Sequence, residues 1–253
     1  MLPTSTVEQR RVDITATAGQ AELVATLAAD GFVLIEGVHD QARLLALARS
    51  LGAITPHRDS TTDGVTTIAN LGKVGHQAGF AGFSTDALNP HTDRSGVATP
   101  PALLLMACGQ PAASGGECIA IDGKAVYADL AETEPEALHA LSQPRSAMFG
   151  GACGHLGAIF ERSADGLVAV RLRFDELAQF APDVTHWLAA LRASIDRHTI
   201  TFGLESGHGY ILNNCRWLHG RHAFTGQRRM HRINAEPLPH LGIPTGFEPD
   251  TRL

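Results

Sequence analysis

The sequence predicts a mainly β domain with flanking helices. Many short apolar or alternating runs are separated by turn residues, a pattern typical of a sandwich or barrel. Runs with helical spacing occur at the start of the chain and on both sides of residues 146–174. The 253 residues are enough for one domain with a sizeable core.

Residues 1–53 are expected to form an N-terminal helix and strand segment. It begins with a loose arm over residues 1–12, and helices Gly19–Asp30 and Asp40–Leu51 flank a buried strand at Phe32–Ile35. In residues 54–90 the pattern breaks, apart from one strand candidate at 65–71. Long irregular segments in a compact domain are typical of binding loops, so we predict an active-site lid rather than a disordered insertion.

Residues 91–236 are predicted to form the β core, and residues 237–253 a C-terminal tail. Two helices are expected over residues 123–141, broken at Pro135, and another over residues 184–198. The Asp165-Gly166 pair predicts a hairpin. The predicted strands of this core span residues 102–108, 118–121, 146–150, 157–161, 167–174, 199–204, 209–212, 217–221 and 228–233.

Composition narrows the class of partner. Hydrophobic residues make up 44% and charged residues 18%, as in ordinary soluble proteins, and the net charge of -6 argues against nucleic acid. The start has no apolar run typical of a secretory signal, and no stretch approaches the roughly 20 apolar residues that span a bilayer. The four cysteines form no C-x-x-C pair. We expect a cytoplasmic protein with a small-molecule partner, and leave the oligomeric state open.

One short stretch suggests metal chemistry. His91 and Asp93 are two residues apart, so in an extended chain both side chains point to the same side. A histidine and a carboxylate are two members of the facial triad that binds Fe(II) in non-haem oxygenases. His219, which follows another strand-like run, can supply the third ligand. A loop histidine followed by a turn aspartate is the alternative interpretation.

Two arginines follow that third histidine. Arg228 and Arg232 are four residues apart and share one face of a strand. The guanidinium fork suits a carboxylate, such as the far carboxylate of a 2-oxo acid that chelates the metal. A basic surface strand is the alternative.

Several motifs together resemble the Fe(II)/2-oxoglutarate-dependent oxygenases of the taurine dioxygenase and clavaminate synthase branch. They occur in the family's order, and they are His91-Thr92-Asp93, Gly115-Gly116-Glu117-Cys118, Asn213-Asn214, Trp217 to Arg221 and Arg228 to Arg232. The resemblance implies a double-stranded β-helix, or jelly-roll, core.

The resemblance also implies roles for individual residues. His91, Asp93 and His219 would hold iron, Arg228 would bind the tail of 2-oxoglutarate, and Arg232 would bind an anionic group of the substrate. The family usually has threonine where this chain has Cys118, and a thiol is a weaker donor to the cosubstrate. The segment between His219 and Arg228 is short for the family. Two further candidates for contact with the substrate are Asn89 and Asp175, although Asp175 equally suits the cap of a helix starting at Glu176.

The function expected from these features is an iron(II)- and 2-oxoglutarate-dependent dioxygenase. It would use O2 to oxidise, most simply to hydroxylate, an unactivated C–H bond of a small molecule such as an amino acid or its derivative. One alternative is a halogenase of the same fold, which needs an open metal position where Asp93 supplies a carboxylate. The other is a cupin-like binding or isomerase protein, which would not need the Arg228 and Arg232 pair.

Overall fold

The computed structural model describes residues 11–249. Their strands are β1 Arg11–Asp13, β2 Phe32–Glu36, β3 Gly52–Ile54, β4 Thr66–Ala69, β5 Leu88–His91, β6 Leu103–Gln110, β7 Ser114–Gly115, β8 Cys118–Asp122, β9 Ala147–Phe149, β10 His155–Gly157, β11 Phe160–Arg162, β12 Val168–Val170, β13 Ala178–Phe180, β14 Thr199–Phe202, β15 Gly209–Asn213, β16 Trp217–Arg221, β17 Phe224–Thr225 and β18 Arg229–Pro237. Their α-helices are α1 Gly19–Asp30, α2 Gln41–Leu51, α3 Gly123–Thr133, α4 Pro135–Leu141, α5 Pro182–Thr185 and α6 Leu188–Arg197.

Two sheets form the centre of the molecule. The larger has the order β1-β2-β15-β6-β18-β3, with β4 also paired to β18, and the smaller has the order β14-β8-β16-β5. Side chains from both sheets, such as Leu104 and Leu212 from the larger and Ala120 and Trp217 from the smaller, pack in one buried cluster. The two sheets therefore face each other, as the predicted jelly roll requires.

Helices cover the outer face of each sheet. Residues of the larger sheet alternate: Leu104 and Met106 pack between the sheets, while Leu103 and Leu105 pack against α1 and α2. On the smaller sheet, Leu218 packs with residues of α3, α4 and α6. This four-layer arrangement confirms the predicted β core with flanking helices, and no helix among residues 11–249 is long and apolar enough to cross a bilayer.

The N-terminal predictions agree closely with the structure. α1 has the predicted bounds, and α2 begins after Asp40, whose side chain accepts a hydrogen bond from the Arg43 amide at 2.8 Å. The predicted loose arm was wrong at Arg11 and Val12, which pair with β2 as β1. The rest of that arm, residues 1–10, lies outside the described residues.

The strand predicted over residues 167–174 was too long. It ends at Val170, because the next backbone groups bond to a loop: the Leu172 amide donates to Thr92 Oγ1 at 3.2 Å, and the Thr92 amide donates to the Leu172 carbonyl at 2.9 Å. The strand predicted over residues 157–161 is also two separate strands, β10 and β11.

Two helix predictions were also wrong in detail. The helix over residues 184–198 is divided into α5 and α6, since the Trp187 amide bonds to the Val184 carbonyl in a tighter turn. No helix begins at Glu176. Asp175 instead accepts a hydrogen bond from the Leu177 amide at 3.1 Å, a local turn that leads into β13, so Asp175 is not a helix cap.

Candidate metal centre

Neighbouring strands of the smaller sheet bring the three predicted ligands together. His91 ends β5 and lies opposite His219 of β16 in the antiparallel pairing, while Asp93 follows β5 by two residues. One ligand atom from each side chain lies within 4.8 Å of the others, and the two imidazole centroids are 4.2 Å apart. This convergence is what a single metal ion requires.

Both imidazoles have the protonation state of metal ligands. Burial lowers the pKa of His91, and it lowers the pKa of His219 well below its ordinary value, so both rings are neutral. His91 Nδ1 lies 2.9 Å from the Asn89 carbonyl oxygen, so its proton is on Nδ1 and Nε2 is free to bind a metal. His219 Nδ1 is buried and forms no hydrogen bond with any of the described residues.

The Asp93 carboxylate is held by side chains from β18. Arg232 Nη1 donates to its Oδ1 at 2.9 Å, and Asn234 Nδ2 donates to its Oδ2 at 2.7 Å. Burial alone would raise the pKa of Asp93, but Arg232, His219 and the Asn234 hydrogen bond hold it below its ordinary value. Asn214 fixes the backbone at the same point, since its Oδ1 accepts from the Asp93 amide at 2.6 Å. The carboxylate is therefore ionised and oriented before any metal binds.

Another cation of the site lies in a buried position beside Cys118. Arg228 is only 8% exposed, and Arg228 Nη2 donates to Cys118 Sγ at 3.7 Å. Burial raises the pKa of Cys118 to about 11, so it is a neutral thiol and cannot balance the guanidinium charge. Among the described residues, Arg228 forms no ion pair with a carboxylate. A buried charge without a counter-ion is costly, so this position suits an anionic ligand.

These groups line one cavity of about 400 Å³. The predicted site residues His91, Asp93, His219, Arg228, Cys118, Arg232, Asn89 and Asp175 all line it. Residues 54–90, the predicted lid, contribute a large part of its wall. Asp175 is paired with Arg173 through Nε at 2.6 Å and through a second, shorter contact.

Sequence reasoning missed several residues that line this cavity or contact its lining side chains. Asn234 was overlooked because its partner, Asp93, is far away in the chain, although its position two residues after Arg232 on the same strand face was a usable signal. Arg221 was noted only as part of a motif. Arg94 was not singled out. It lines the cavity in a left-handed backbone conformation with φ of 54°.

The fold and the site together define a class, since two facing sheets that enclose a His, Asp and His cluster are typical of non-haem iron oxygenases. The family model described as "Taurine catabolism dioxygenase TauD, TfdA family" matches residues 2–234. The chain therefore belongs to this family, and it is an iron(II)- and 2-oxoglutarate-dependent dioxygenase.

Solved structures of similar fold are oxygenases as well. The non-heme iron oxygenase OrfP, in complex with Fe, succinate and (3S)-hydroxy-L-Arg, is 16% identical with a TM-score of 0.69, over 87% of this chain and 81% of that chain. An asparagine oxygenase in complex with Fe(II), 3-hydroxyasparagine and succinate is 14% identical with a TM-score of 0.65, over 86% and 77%. PvcB, an Fe, alpha-ketoglutarate dependent oxygenase, is 17% identical with a TM-score of 0.65, over 90% and 83%.

Proposed function

We propose that this dioxygenase hydroxylates an unactivated C–H bond of an amino acid or an acid derived from one. His91, Asp93 and His219 hold the iron, and their convergence within 4.8 Å is the observation that carries the proposal. Iron(II) with 2-oxoglutarate supplies the activation of O2. The protein's own contribution is to hold the ligands, bind both acids and keep water away from the reacting bond.

Arg228 binds the far carboxylate of 2-oxoglutarate, with Cys118 beside it. The guanidinium is buried and lacks a carboxylate partner among the described residues, which is the environment expected for an arginine that pairs with a bound anion. Cys118 is protonated and donates only weakly. The carboxylate therefore depends mainly on Arg228 for its charge-assisted hydrogen bonds.

The charge of the cavity favours an anionic substrate. Its lining has three aspartates and twice as many arginines, namely Arg58, Arg94, Arg173, Arg221, Arg228 and Arg232. Arg232 uses Nη1 for Asp93 and lines the cavity, so its guanidinium can also bind a substrate carboxylate. The Arg173 and Asp175 pair offers a donor and an acceptor to a zwitterion, and Asn89 is a further polar contact.

Two structural neighbours support this substrate class. The OrfP structure contains hydroxylated arginine, and the asparagine oxygenase structure contains hydroxylated asparagine. Asp93 lies in the ligand cluster, so no observation favours the halogenase alternative, which lacks this carboxylate.

The test is a screen of free amino acids and related small acids with the iron-loaded enzyme. We expect one compound to stimulate succinate formation in an O2-dependent manner and to gain one oxygen atom, detected by mass spectrometry. The matched control, His222→Ala, changes an exposed histidine near His219 and should keep this activity. Chlorine in the product, or succinate formation that no acid of the panel stimulates, would contradict the proposal.

A further inference from the structure

Arg221 joins the cavity to the segment at residues 81–86. It is the last residue of β16, two residues after His219, and is 5% exposed. Its two terminal nitrogens donate to backbone carbonyls of that segment, at 3.0 Å to Gly82, 3.4 Å to Ala81, 2.5 Å to Ser84 and 2.8 Å to Asp86. The Arg221 guanidinium therefore connects part of the predicted lid to β16, the strand that carries His219.

The remaining nitrogen of this guanidinium has no partner among the described residues. Arg221 Nε is buried and forms no hydrogen bond with any of them. A buried N–H without an acceptor costs on the order of 1–3 kcal/mol, so such donors are normally hydrogen-bonded. Arg221 lines the same cavity as Arg228, and its cross-strand neighbour on β8 is Cys118.

Arg221 and Arg228 form a pair of buried cations. Their guanidinium carbons lie 4.9 and 5.8 Å from the centre of the same ring, that of Phe224. Burial and the charge of Arg228 lower the pKa of Arg221 to about 10. Among the described residues neither arginine is paired with a carboxylate. An anion bound between them would stabilise both charges at once.

We propose that Arg221 is a second binding residue for the far carboxylate of 2-oxoglutarate. Its guanidinium lines the cavity near Arg228 and so supplies a strong donor where Cys118 offers only a thiol. Because the same guanidinium holds residues 81–86, the bound carboxylate also stabilises that segment over the cavity. This inference rests on the proposed function.

The test compares two 2-oxo acids that differ only at the far end. In 2-oxopentanoate a methyl group replaces the far carboxylate of 2-oxoglutarate. Dissociation constants of both acids would be measured by anaerobic calorimetry on the iron-loaded protein. Arg221→Gln should weaken 2-oxoglutarate about tenfold or more, as expected for a lost hydrogen bond to a charged group, and should leave 2-oxopentanoate nearly unchanged.

The matched control is Arg171→Gln. Arg171 is also buried and also donates to loop carbonyls, those of Ser95, Val97 and Ala98, but it does not line the cavity. The Arg171→Gln substitution should lower the free energy of unfolding and leave the selectivity between the two acids intact. If Arg221→Gln weakened both acids by the same factor, or neither, Arg221 would be only a structural residue and the proposal would be wrong.

A second measurement uses the unchanged protein and does not depend on how the variants fold. Chymotrypsin can cut after Phe80 and Phe83 when the segment opens locally. Saturating 2-oxoglutarate should slow this cleavage more than saturating 2-oxopentanoate does. Equal protection by the two acids would contradict the proposal that the bound far carboxylate stabilises residues 81–86. If the iron-loaded wild-type protein bound 2-oxoglutarate no more tightly than 2-oxopentanoate, the proposed function itself would be contradicted.

Discussion

At the residue scale, the carboxylate of Asp93, the proposed metal ligand, is positioned by partners from distant parts of the chain. Asp93 bonds to Asn214 through its backbone and to Arg232 and Asn234 through its side chain. Partners that orient a ligand usually contribute to metal affinity, because a free carboxylate would have to be ordered when the ion binds. Each of these contacts can therefore be tested by substitution.

Asn234→Ala should weaken iron binding roughly 10- to 100-fold, since one oxygen of Asp93 then loses its partner. Anaerobic Fe(II) titration measures this effect. Asn213→Ala is the control: Asn213 is also buried but donates to the carbonyls of Pro244 and Gly246, so its loss should reduce stability without reducing iron affinity. Equal iron affinity in the Asn234 variant and the wild type would show that Asp93 needs no such support.

Arg228→Ala should raise the apparent requirement for 2-oxoglutarate roughly 30-fold or more. Loss of a buried charge-assisted partner costs on the order of 2–5 kcal/mol. Arg229→Ala is the matched control, because Arg229 is exposed. Succinate formation at varied 2-oxoglutarate concentration measures both. A defect confined to the Arg229 variant would mean that the neighbouring arginine holds the cosubstrate.

Arg232→Ala should affect two ligands. Sequence reasoning predicts weaker binding of the main substrate and nearly unchanged binding of 2-oxoglutarate. The 2.9 Å contact with Asp93 adds a second effect, a loss of iron affinity. Titration with iron, followed by substrate binding at saturating iron, separates the two effects. Normal substrate affinity at saturating iron would restrict Arg232 to the support of Asp93.

At the element scale, the last long strand shows how much local pattern determines. The predicted alternation is present: Met230 is buried between the sheets, Arg232 and Asn234 reach Asp93, and Ile233 and Ala235 pack against the helices. This register could be predicted from the sequence because the strand is long and has different surroundings on its two faces.

Ile233→Ala tests this separation of faces. Ile233 is fully buried on the helix side, so the truncation should lower the free energy of unfolding by about 2–5 kcal/mol. Iron affinity of the folded protein should be unchanged, since the opposite face carries the site. Urea unfolding and Fe(II) titration of the same variant measure the two quantities. A large loss of iron affinity with normal stability would contradict the assigned register.

Short elements were harder to predict than long ones. The strand expected over residues 167–174 is cut short because the Leu172 backbone bonds to Thr92, far away in sequence. The helix expected after Asp175 is replaced by a turn, since one aspartate satisfies both the Leu177 amide and Arg173. Such outcomes depend on tertiary partners, which local periodicity does not encode.

At the scale of the whole molecule, the packing of the two sheets against each other brings motifs that are distant in sequence together in one site. His91 and Asp93 could be selected from the sequence because ligand type and spacing are local properties, whereas His219 was selected because it follows a strand-like run and matches a motif of the family. Their meeting point, and the contributions of Asn234 and Arg221, depend on which strands become neighbours. The resemblance of motif order to the family supplied that topology, and the structure confirms the fold.

Iron stoichiometry tests the central claim most directly. Anaerobic titration of the wild-type protein should show one Fe(II) bound per chain. His91→Ala, Asp93→Ala and His219→Ala should each greatly weaken this binding, because each removes one of three converging ligands. His222→Ala should bind iron like the wild type. Undiminished binding of one Fe(II) in all three ligand variants would contradict the assignment of the metal centre.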